Sequence, residues 1–301
     1  MRLAIGLKNN YFSINWRTIA FQLAGGLAKY RGKPAPSAAA AESGEFPANI
    51  VKKVGEMIDI QGIRKTFRSV TALDGVGFKA RDGEITGLIG LNGAGKTTAL
   101  RILYTVMNPD QGWARVDGYD TVSDRTEVQR RIGVLPDSRG LYPRLTAREH
   151  VQYYGRLHGM DGAALARRLD ELIDTLQLSE FIDRRAKGFS KGQARKVGLA
   201  RALVHEPHNL ILDEPTNGLD VASSRTVHGL LSHWRAKGRC VLFCSHIMNE
   251  VAAVSDRIVV LSLGRVVAEG TVDELLRRTG ETTIENMFLA VTEAAGGEAG
   301  G

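Results

Sequence analysis

Cysteine is scarce in this chain: among 301 residues, Cys240 and Cys244 are the two that carry a thiol. Two cysteines cannot supply the disulfide framework of a small secreted protein. Both lie in the apolar segment 240–244, where the alternation of a strand puts them on the same face. We interpret them as free, buried thiols of a reducing compartment, and a metal or redox pair is the alternative.

Long hydrophobic runs are absent as well. The apolar stretch 11–28 is interrupted by Arg17 and Gln22, and no later segment offers the roughly 18 uncharged apolar residues that a membrane-spanning helix needs. Residues 1–7 lack the extended apolar region and the small-residue cleavage site of a secretory signal. The sequence therefore predicts neither a membrane-spanning helix nor a secretory signal.

A general excess of positive charge is also missing. The net charge of +7 is concentrated in residues 1–56, which hold 8 Lys and Arg against 3 Asp and Glu, whereas the remaining residues hold 32 against 30. Because the larger part of the chain has no basic stripe, its composition argues against a nucleic-acid partner.

Residues 1–56 differ from the rest, because segment 33–44 is a low-complexity linker and the segment before it is basic and weakly amphipathic. We interpret 1–56 as a peripheral or disordered extension, and a helix lying on an anionic membrane surface is the alternative. Met57, where regular strand patterns begin, is an alternative start of the biological protein.

One segment matches the phosphate-binding loop pattern G-x-x-x-x-G-K-[ST] at every fixed position: Gly90, Leu91, Asn92, Gly93, Ala94, Gly95, Lys96, Thr97 and Thr98. A short apolar strand at 84–89 precedes it, and helical spacing from Thr97 to Met107 follows. In this context, unpaired N–H groups at the start of a helix bind a polyanion.

The residue types of this loop suit a nucleoside polyphosphate. Gly90, Gly93 and Gly95 permit backbone conformations and a close phosphate approach that a Cβ would obstruct. Lys96 places a charge on the β- and γ-phosphates, and the Thr97 hydroxyl is a ligand for Mg²⁺. A chance glycine turn with a surface lysine is the alternative, and the strand–loop–helix context argues against it.

A second apolar strand, at 208–212, ends in the carboxylates Asp213 and Glu214. The carboxyl ends of strands are where α/β sheets place their chemistry. Asp213 is the predicted metal-side carboxylate, and Glu214 is predicted to orient or deprotonate the water that attacks the γ-phosphate. An ordinary strand-to-loop exit is the alternative, but a phosphate loop needs a partner carboxylate on a neighbouring strand.

Three further features accompany these motifs. Segment 188–193 is a glycine loop that opens a helix, which predicts a second anion site. His246 ends the apolar strand 240–245, where the γ-phosphate is expected, and this favours a catalytic or sensing role over that of a capped loop residue. Phe67 either stacks on an adenine ring or packs in the core.

The remaining pattern is scaffold. Short strands are predicted at 57–60 and 78–80, with 65–68 between them, and a hairpin at 257–268 turns at Gly264. Residues 294–301 form a small-residue tail that is predicted to be disordered. One helical face is predicted to carry Leu165, Leu169, Leu172, Ile173 and Leu176.

In their order along the chain, these motifs resemble the nucleotide-binding subunit of an ATP-binding-cassette (ABC) transporter, over roughly residues 57–280. The resemblance implies an α/β fold: a P-loop NTPase (RecA-like) core with an antiparallel β subdomain and an inserted α-helical signature subdomain at about 138–200, followed by a C-terminal tail at 281–301. It implies ATP and Mg²⁺ as cofactors.

The resemblance also implies roles for single residues. Lys96, Glu214 and His246 are catalytic, with His246 as the switch histidine. Thr97, Asp213 and Asp137 hold Mg²⁺. The residues implied to contact nucleotide are Phe67, Gly90, Asn92, Gly93, Ala94, Gly95, Lys96, Thr97 and Thr98, together with Ser190, Gly192 and Gln193 of the signature and Asp220 at the subunit interface.

Two cassettes are implied to meet head to tail, each ATP lying between the Lys96 loop of one copy and the Ser190 loop of the other. A separate integral-membrane permease is the implied partner, which places the chain in the cytoplasm on the inner face of the cell membrane. Segments 131–137, 140–149, 153–159 and 189–192 are similar to NatA-type subunits, which implies an exporter and sodium efflux. A soluble non-transport ABC ATPase and a nucleotide-sensing regulatory module are the alternatives.

The chain departs from the family pattern at two places. Asp137 stands where the family usually has Gln, a residue that contacts Mg²⁺ or the attacking water and relays the nucleotide state to the membrane partner. A carboxylate can ligate Mg²⁺ through water, but it is shorter and cannot donate a hydrogen bond, so the resemblance does not extend the coupling role of that Gln to Asp137. Phe189 and Lys191 replace the commoner Leu and Gly of the signature. Lys191 either contacts the γ-phosphate of the partner's nucleotide or points to solvent.

Overall fold

The computed structural model describes residues 57–137 and 140–298. Predictions for residues 1–56 and 299–301 lie outside the described residues. The described strands are β1 (Ile58–Phe67), β2 (Val70–Ala80), β3 (Ile85–Ile89), β4 (Gln111–Val116), β5 (Tyr119–Asp120), β6 (Ile132–Leu135), β7 (Asn209–Asp213), β8 (Cys240–Ser245), β9 (Arg257–Ser262) and β10 (Arg265–Gly270).

The described helices are α1 (Lys96–Leu103), α2 (Arg125–Arg131), α3 (Ala147–Leu157), α4 (Gly162–Leu176), α5 (Lys191–Leu203), α6 (Val221–Ala236), α7 (Met248–Val254), α8 (Val272–Thr279) and α9 (Ile284–Glu298), with a 3-10 turn at Ala186–Gly188. Within the described ranges, none of these helices has both the length and the apolar character that crossing a bilayer requires.

The strands form two sheets. A four-stranded antiparallel sheet has the order β2-β1-β4-β5, and a six-stranded sheet has the order β10-β9-β3-β8-β7-β6. In the second sheet β9, β3, β8, β7 and β6 run parallel, and β10 pairs antiparallel with β9 at one edge. This architecture is the predicted α/β class, a parallel core sheet with an antiparallel β sheet beside it.

The parallel sheet lies in the interior. Every residue of β3, β7 and β8 is buried, as expected for parallel strands that are covered on both faces. One face, with Leu88 and Leu242, packs against α1 and the antiparallel sheet. The other face, with Ile89 and Phe243, packs against the helices. The carboxyl ends of β3 and β7 carry the phosphate loop and Asp213, so both predicted motifs meet at one edge of the sheet.

The first two strands are longer than their apolar residues predict. β1 runs through Phe67, so residues 65–67, which were placed between two short strands, belong to β1. It pairs with β2 as far as Phe67 opposite Val70, with register shifts after Ile60 and after Ile63. These irregularities break the alternation of buried and exposed residues on which the prediction depends.

The helices between β6 and β7 follow the predicted spacing. In α4, Leu165, Leu169, Leu172 and Leu176 are buried, and Ile173 is partly buried against the same core. α3 packs against α4 and α5, and α5 packs against β6. Helix α5 therefore connects this helical layer with the edge of the parallel sheet.

Two element ends differ from the predictions. α1 ends at Leu103 rather than at Met107, because Thr105 adopts a left-handed conformation with φ of 65°. Residues 294–298, which were predicted to be disordered, continue α9. Met287 and Phe288 in this helix are buried in the core, and their anchoring explains why a segment of such bland composition is helical. The predicted β9–β10 hairpin with its turn at Gly264 is confirmed.

Candidate active site

A pocket of about 490 Å³ lies between the phosphate loop and the ends of β6, β7 and β8. Gly90, Ser190, Gly192, Gln193 and Asp220 do not line it. The predicted site residues that do line it are Phe67, Asn92, Gly93, Ala94, Gly95, Lys96, Thr97, Thr98, Asp137, Asp213, Glu214 and His246. One chain thus brings together the phosphate loop, both carboxylates of the acidic pair, Asp137 and the histidine.

Two glycines of the phosphate loop, Gly95 and Gly90, exclude a Cβ for different structural reasons. Gly95, at the N-cap of α1, has φ of 105°, and a Cβ there would lie 2.5 Å from the carbonyl oxygen of Ala72. At Gly90 a Cβ would lie 2.4 Å from the carbonyl oxygen of Leu261 in β9. The absence of a Cβ at Gly90 therefore also has a packing reason, since it lets β9 lie close to the loop, and the nucleotide contact of Gly90 stays a prediction.

Lys96 is held inside the loop. The residue is buried, with 7% of its surface exposed, and Nζ donates to the carbonyl oxygens of Gly90 at 2.5 Å and Leu91 at 3.2 Å. These contacts compensate the burial of a charged group. They place a positive charge at the wall of the pocket, beside the N-terminus of α1.

Asp213 is the buried carboxylate of the site, with 2% of its surface exposed. Its Oδ2 accepts a hydrogen bond from the Thr97 hydroxyl at 3.2 Å, and its Oδ1 accepts one from the Cys244 thiol at 2.7 Å. Burial raises the pKa of Asp213 above the usual carboxyl range, and the contacts with Cys244 and Thr97 act in the opposite direction.

Cys244 is a site contact that sequence reasoning assigned only to the core. The free, buried thiols that were predicted are confirmed at both cysteines. Burial, followed by the charge of Asp213, raises the pKa of the Cys244 thiol well above its usual value, so that it remains a hydrogen-bond donor. The contact arises because Cys244 lies directly opposite Asp213 in the β7–β8 pairing, a register that the sequence does not reveal.

Glu214 and His246 form a pair at the rim of the pocket. The His246 ring nitrogen Nδ1 lies 2.9 Å from Glu214 Oε2. Glu214 has φ of 52°, and its N–H donates to the carbonyl oxygen of Cys244 at 2.9 Å. Its side chain is 13% exposed, whereas that of His246 is 54% exposed. The backbone of Glu214 is therefore held by Cys244 and its carboxylate is contacted by His246, while the imidazole remains accessible.

Asp137 lies at the end of β6, and its carboxylate is largely exposed. Oδ1 of Asp137 is 3.8 Å from Nη2 of Arg195, a buried arginine in α5. Sequence reasoning missed Arg195, because it is one of several cations in this helix and no local pattern distinguishes it from the others. Its proximity to Asp137 depends on how α5 packs against β6.

Phe67 lies at the rim of the pocket with 43% of its surface exposed. The Lys65 ammonium is 5.8 Å from the centre of its ring. Such exposure excludes the core-packing alternative, and stacking on an adenine ring stays a prediction.

The signature residues form a second surface. Ser190 caps the N-terminus of α5: its hydroxyl accepts from the Gln193 N–H, and the Gln193 side chain accepts from the Ser190 N–H, both at 3.1 Å. Asp220 caps α6 and accepts from the Ser223 N–H at 2.8 Å, a contact that lowers the pKa of Asp220. A Cβ at Gly192 would lie 3.2 Å from the carbonyl oxygen of Gly218, so the signature lies against the loop that leads to Asp220.

Comparisons with known proteins agree with this geometry. The family model described as ABC transporter matches residues 73–217. The ABC transporter ATP-binding protein NatA of Bacillus subtilis is 39% identical over 222 residues, which cover 73% of this chain and 90% of the relative. The doxorubicin resistance ATP-binding protein DrrA of Mycobacterium tuberculosis is 38% identical over 228 residues, covering 75% of this chain and 69% of the relative.

A similar solved structure is a dimer that holds the products of ATP hydrolysis. It is a dimeric post-hydrolysis state of an ATP-binding cassette bound to ADP and Pi, with a TM-score of 0.67 and 27% identity, and the match covers 71% of this chain and 98% of that chain. These matches agree with the phosphate loop, the acidic pair and the parallel core sheet. The chain belongs to the ABC transporter ATP-binding proteins, a family of ATPases.

Proposed function

We propose that this chain is the ATP-hydrolysing subunit of an ABC exporter, and that two copies act as a head-to-tail dimer on a separate membrane subunit. The observation that carries the proposal is the separation of the two nucleotide-contacting sets within one chain. The pocket contains Lys96 and Glu214 but is not lined by Ser190 or Gln193. A second copy, with its signature helix turned toward this pocket, supplies the missing set.

The capped start of α5 is suited to that role. Helix α5 has 13 residues, and its N-terminal N–H groups carry the positive end of the helix dipole. Because the Ser190–Gln193 capping box fixes this turn, the signature presents a preorganised surface to the phosphates of the facing copy. ATP bound between the copies favours the closed dimer, and hydrolysis removes this preference.

Glu214 is the proposed general base. It accepts the proton of the water that attacks the γ-phosphate, and a well-placed base typically contributes about 10²–10⁴-fold to a rate. His246 donates to Glu214 at 2.9 Å and holds the carboxylate in position. Lys96 and the backbone N–H groups of the phosphate loop bind the negative charge of the phosphates.

Magnesium fits beside Thr97 and Asp213. Their hydroxyl and carboxylate oxygens lie 3.2 Å apart at the wall of the pocket, and hard oxygen ligands of this kind suit Mg²⁺. When bound, the ion neutralises charge on the β- and γ-phosphates. Asp137 is the third proposed ligand residue, because it lines the same pocket.

The proposed partner is an integral-membrane permease, which places the chain on the inner face of the cell membrane. We assign residues 57–280 to the ATP-binding domain, with about 138–200 as its helical subdomain. Sodium ions are the proposed cargo, as the resemblance to NatA-type subunits implies. The name of DrrA, which refers to doxorubicin resistance, makes organic drugs the competing cargo.

The Glu214→Gln variant tests the proposed mechanism. It retains the shape of the site but lacks a base, so we expect ATP binding to persist, steady-state hydrolysis to fall by at least about 10²-fold, and a dimer to accumulate in ATP. Sedimentation of the purified protein with and without ATP measures the dimer, and steady-state turnover measures the hydrolysis. Lys96→Ala is the control, since it weakens nucleotide binding itself. Undiminished turnover in Glu214→Gln would overturn the assignment of the base.

The proposed cargo and the proposed membrane partner are tested with membranes and vesicles. We expect the permease to co-purify with this chain from detergent-solubilised membranes. Inverted vesicles that contain both subunits should take up ²²Na⁺ when ATP is added, and the same vesicles with Glu214→Gln should not. Uptake of a fluorescent anthracycline in place of sodium would exchange the proposed cargo and leave the ATPase mechanism intact.

A further inference from the structure

Arg195 joins three elements at the edge of the parallel sheet. It lies in α5 and is buried, with 7% of its surface exposed. Nη1 donates to the carbonyl oxygen of Pro136 at 3.2 Å and to that of Asp213 at 3.3 Å, and Nη2 is 3.8 Å from Asp137 Oδ1. One guanidinium therefore holds the ends of β6 and β7 against the helix that begins at the signature.

The charge of this guanidinium suits its position. A buried arginine is costly unless its N–H groups are satisfied and its charge is opposed. The two carbonyl oxygens satisfy N–H groups, and the Asp137 carboxylate opposes the charge. Asp137, Asp213 and Glu214 all line a pocket that must accept a polyanion, so a fixed cation behind them offsets part of their repulsion.

The same contacts connect the two nucleotide sites of a dimer. Asp137 lines the pocket of its own chain, whereas Ser190 starts the helix that faces the second copy in the proposed dimer. Arg195 is five residues beyond Ser190 in α5, about 7.5 Å along the helix axis. A rigid helix transmits a displacement over this distance without a hinge.

We propose that Arg195 is a positioning residue that couples the nucleotide contacted by Asp137 to the signature loop presented to the second copy. The inference rests on the proposed head-to-tail dimer and adds a residue to it. In this chain the Arg195–Asp137 pair replaces the contact that a glutamine usually makes at this position in the family. Closure of one site thereby depends on the occupancy of the other.

A double-mutant cycle in the Glu214→Gln background tests the coupling. The parent, Arg195→Gln, Asp137→Gln and the double variant are compared for the ATP concentration at half-dimerisation, the Hill coefficient of that transition, and ATP affinity at protein concentrations too low for dimers. Arg201→Gln is the matched control, because Arg201 is a buried arginine of the same helix that donates to the Gly140 carbonyl oxygen and lies 4.0 Å from the centre of the Tyr154 ring, whereas the ion pair with Asp137 is made by Arg195.

We expect Arg195→Gln to raise the half-dimerisation concentration about tenfold and to lower the Hill coefficient. Asp137→Gln alone should raise this concentration at least about fivefold, and the double variant should be no worse than Arg195→Gln alone, so that the two effects are non-additive by at least about fivefold. Arg201→Gln should lower the thermal midpoint and leave the Hill coefficient unchanged. Additive effects, or an equal change of the Hill coefficient in Arg201→Gln, overturn the inference. A parent that forms no dimer in ATP overturns the proposed function and the inference with it.

Discussion

Replacing Asp213 by Asn should make the nucleotide-free protein more stable while abolishing its activity. Asp213 is almost completely buried, and burial is the main cause of its raised pKa. The surroundings of Asp213 in the folded protein therefore disfavour the ionised form of its carboxyl group. Active sites commonly retain such destabilising groups because function requires them.

The size of the expected stability gain follows from the contacts of the Asp213 side chain. An Asn amide is nearly isosteric, so its oxygen still accepts from the Cys244 thiol and its NH₂ group donates to the Thr97 hydroxyl. Two neutral hydrogen bonds, each of about 1 kcal/mol, replace two charge-assisted ones. The desolvation cost of an ion, typically several kcal/mol, disappears. We expect a net gain of about 1–2 kcal/mol, which raises the melting temperature by roughly 2–8 °C.

The gain should depend on pH in a defined direction. A carboxyl group with a raised pKa in the folded state binds more protons when folded than when unfolded, so the native protein loses stability as the pH rises from the ordinary carboxyl pKa to the raised one. Above this window Asp213 is ionised in both states and its full cost is present. The advantage of Asp213→Asn should therefore be largest near pH 8 and should shrink as the solution is acidified into the window.

Differential scanning fluorimetry of both proteins from pH 8 down to pH 5, without nucleotide, measures this difference. With MgATP the order should reverse, because the wild type gains stability from binding and the variant gains less. An Asp213→Asn protein that is less stable than the wild type at pH 8, or whose advantage does not change with pH, refutes the reasoning.

Three further predictions concern single side chains. Cys244→Val removes the donor to Asp213, so the acidic limb of the ATPase pH profile should move to higher pH, whereas Cys244→Ser should keep it in place; equal profiles would show that the thiol contact does not matter. Burial lowers the pKa of His205 to about 3, and its ring stacks on that of His158 with centroids 3.5 Å apart. Above pH 6.5 this histidine is neutral in both states and has no effect, but below it the unfolded state binds the proton, so the wild type should lose up to about 1.4 kcal/mol per pH unit from this group; a His205→Gln protein should show a shallower decline in urea midpoints between pH 7 and pH 5. Phe288→Ala empties a fully buried position in α9 and should lower the unfolding free energy by about 3–5 kcal/mol in urea titrations; a loss below about 1 kcal/mol would mean that α9 does not belong to the cooperative core.

The phosphate loop and the acidic pair were accessible from the sequence because their chemistry is local. A strand, a glycine loop and a helix start within one continuous segment define the cradle, and the apolar strand before Asp213 places a carboxylate at a strand end. The structure brings Thr97 and Asp213 to within 3.2 Å, as the pairing of these motifs predicts. The residues of α4 that face the core were equally readable, since helical spacing alone determines them.

Features that depend on strand register or on tertiary packing could not be predicted from the sequence. The polar half of β1 forms a strand because β2 supplies hydrogen-bond partners across irregular registers, and no alternation marks it. Helix α9 forms because Met287 and Phe288 find space in the core, although the small residues that follow carry little helical signal. The close packing of β9 against Gly90 is likewise a contact between distant parts of the chain.

The amino-acid sequence by itself determined the phosphate loop and the carboxylates that face it, since each is encoded in a short continuous pattern, and the α/β class followed from the resemblance of these motifs, in their order, to a known family. Tertiary structure alone decided that Cys244 donates to Asp213 and that Arg195 is paired with Asp137. These relations join residues that are far apart in the sequence, and they exist only once the strand order of the parallel sheet and the packing of α5 against β6 are fixed.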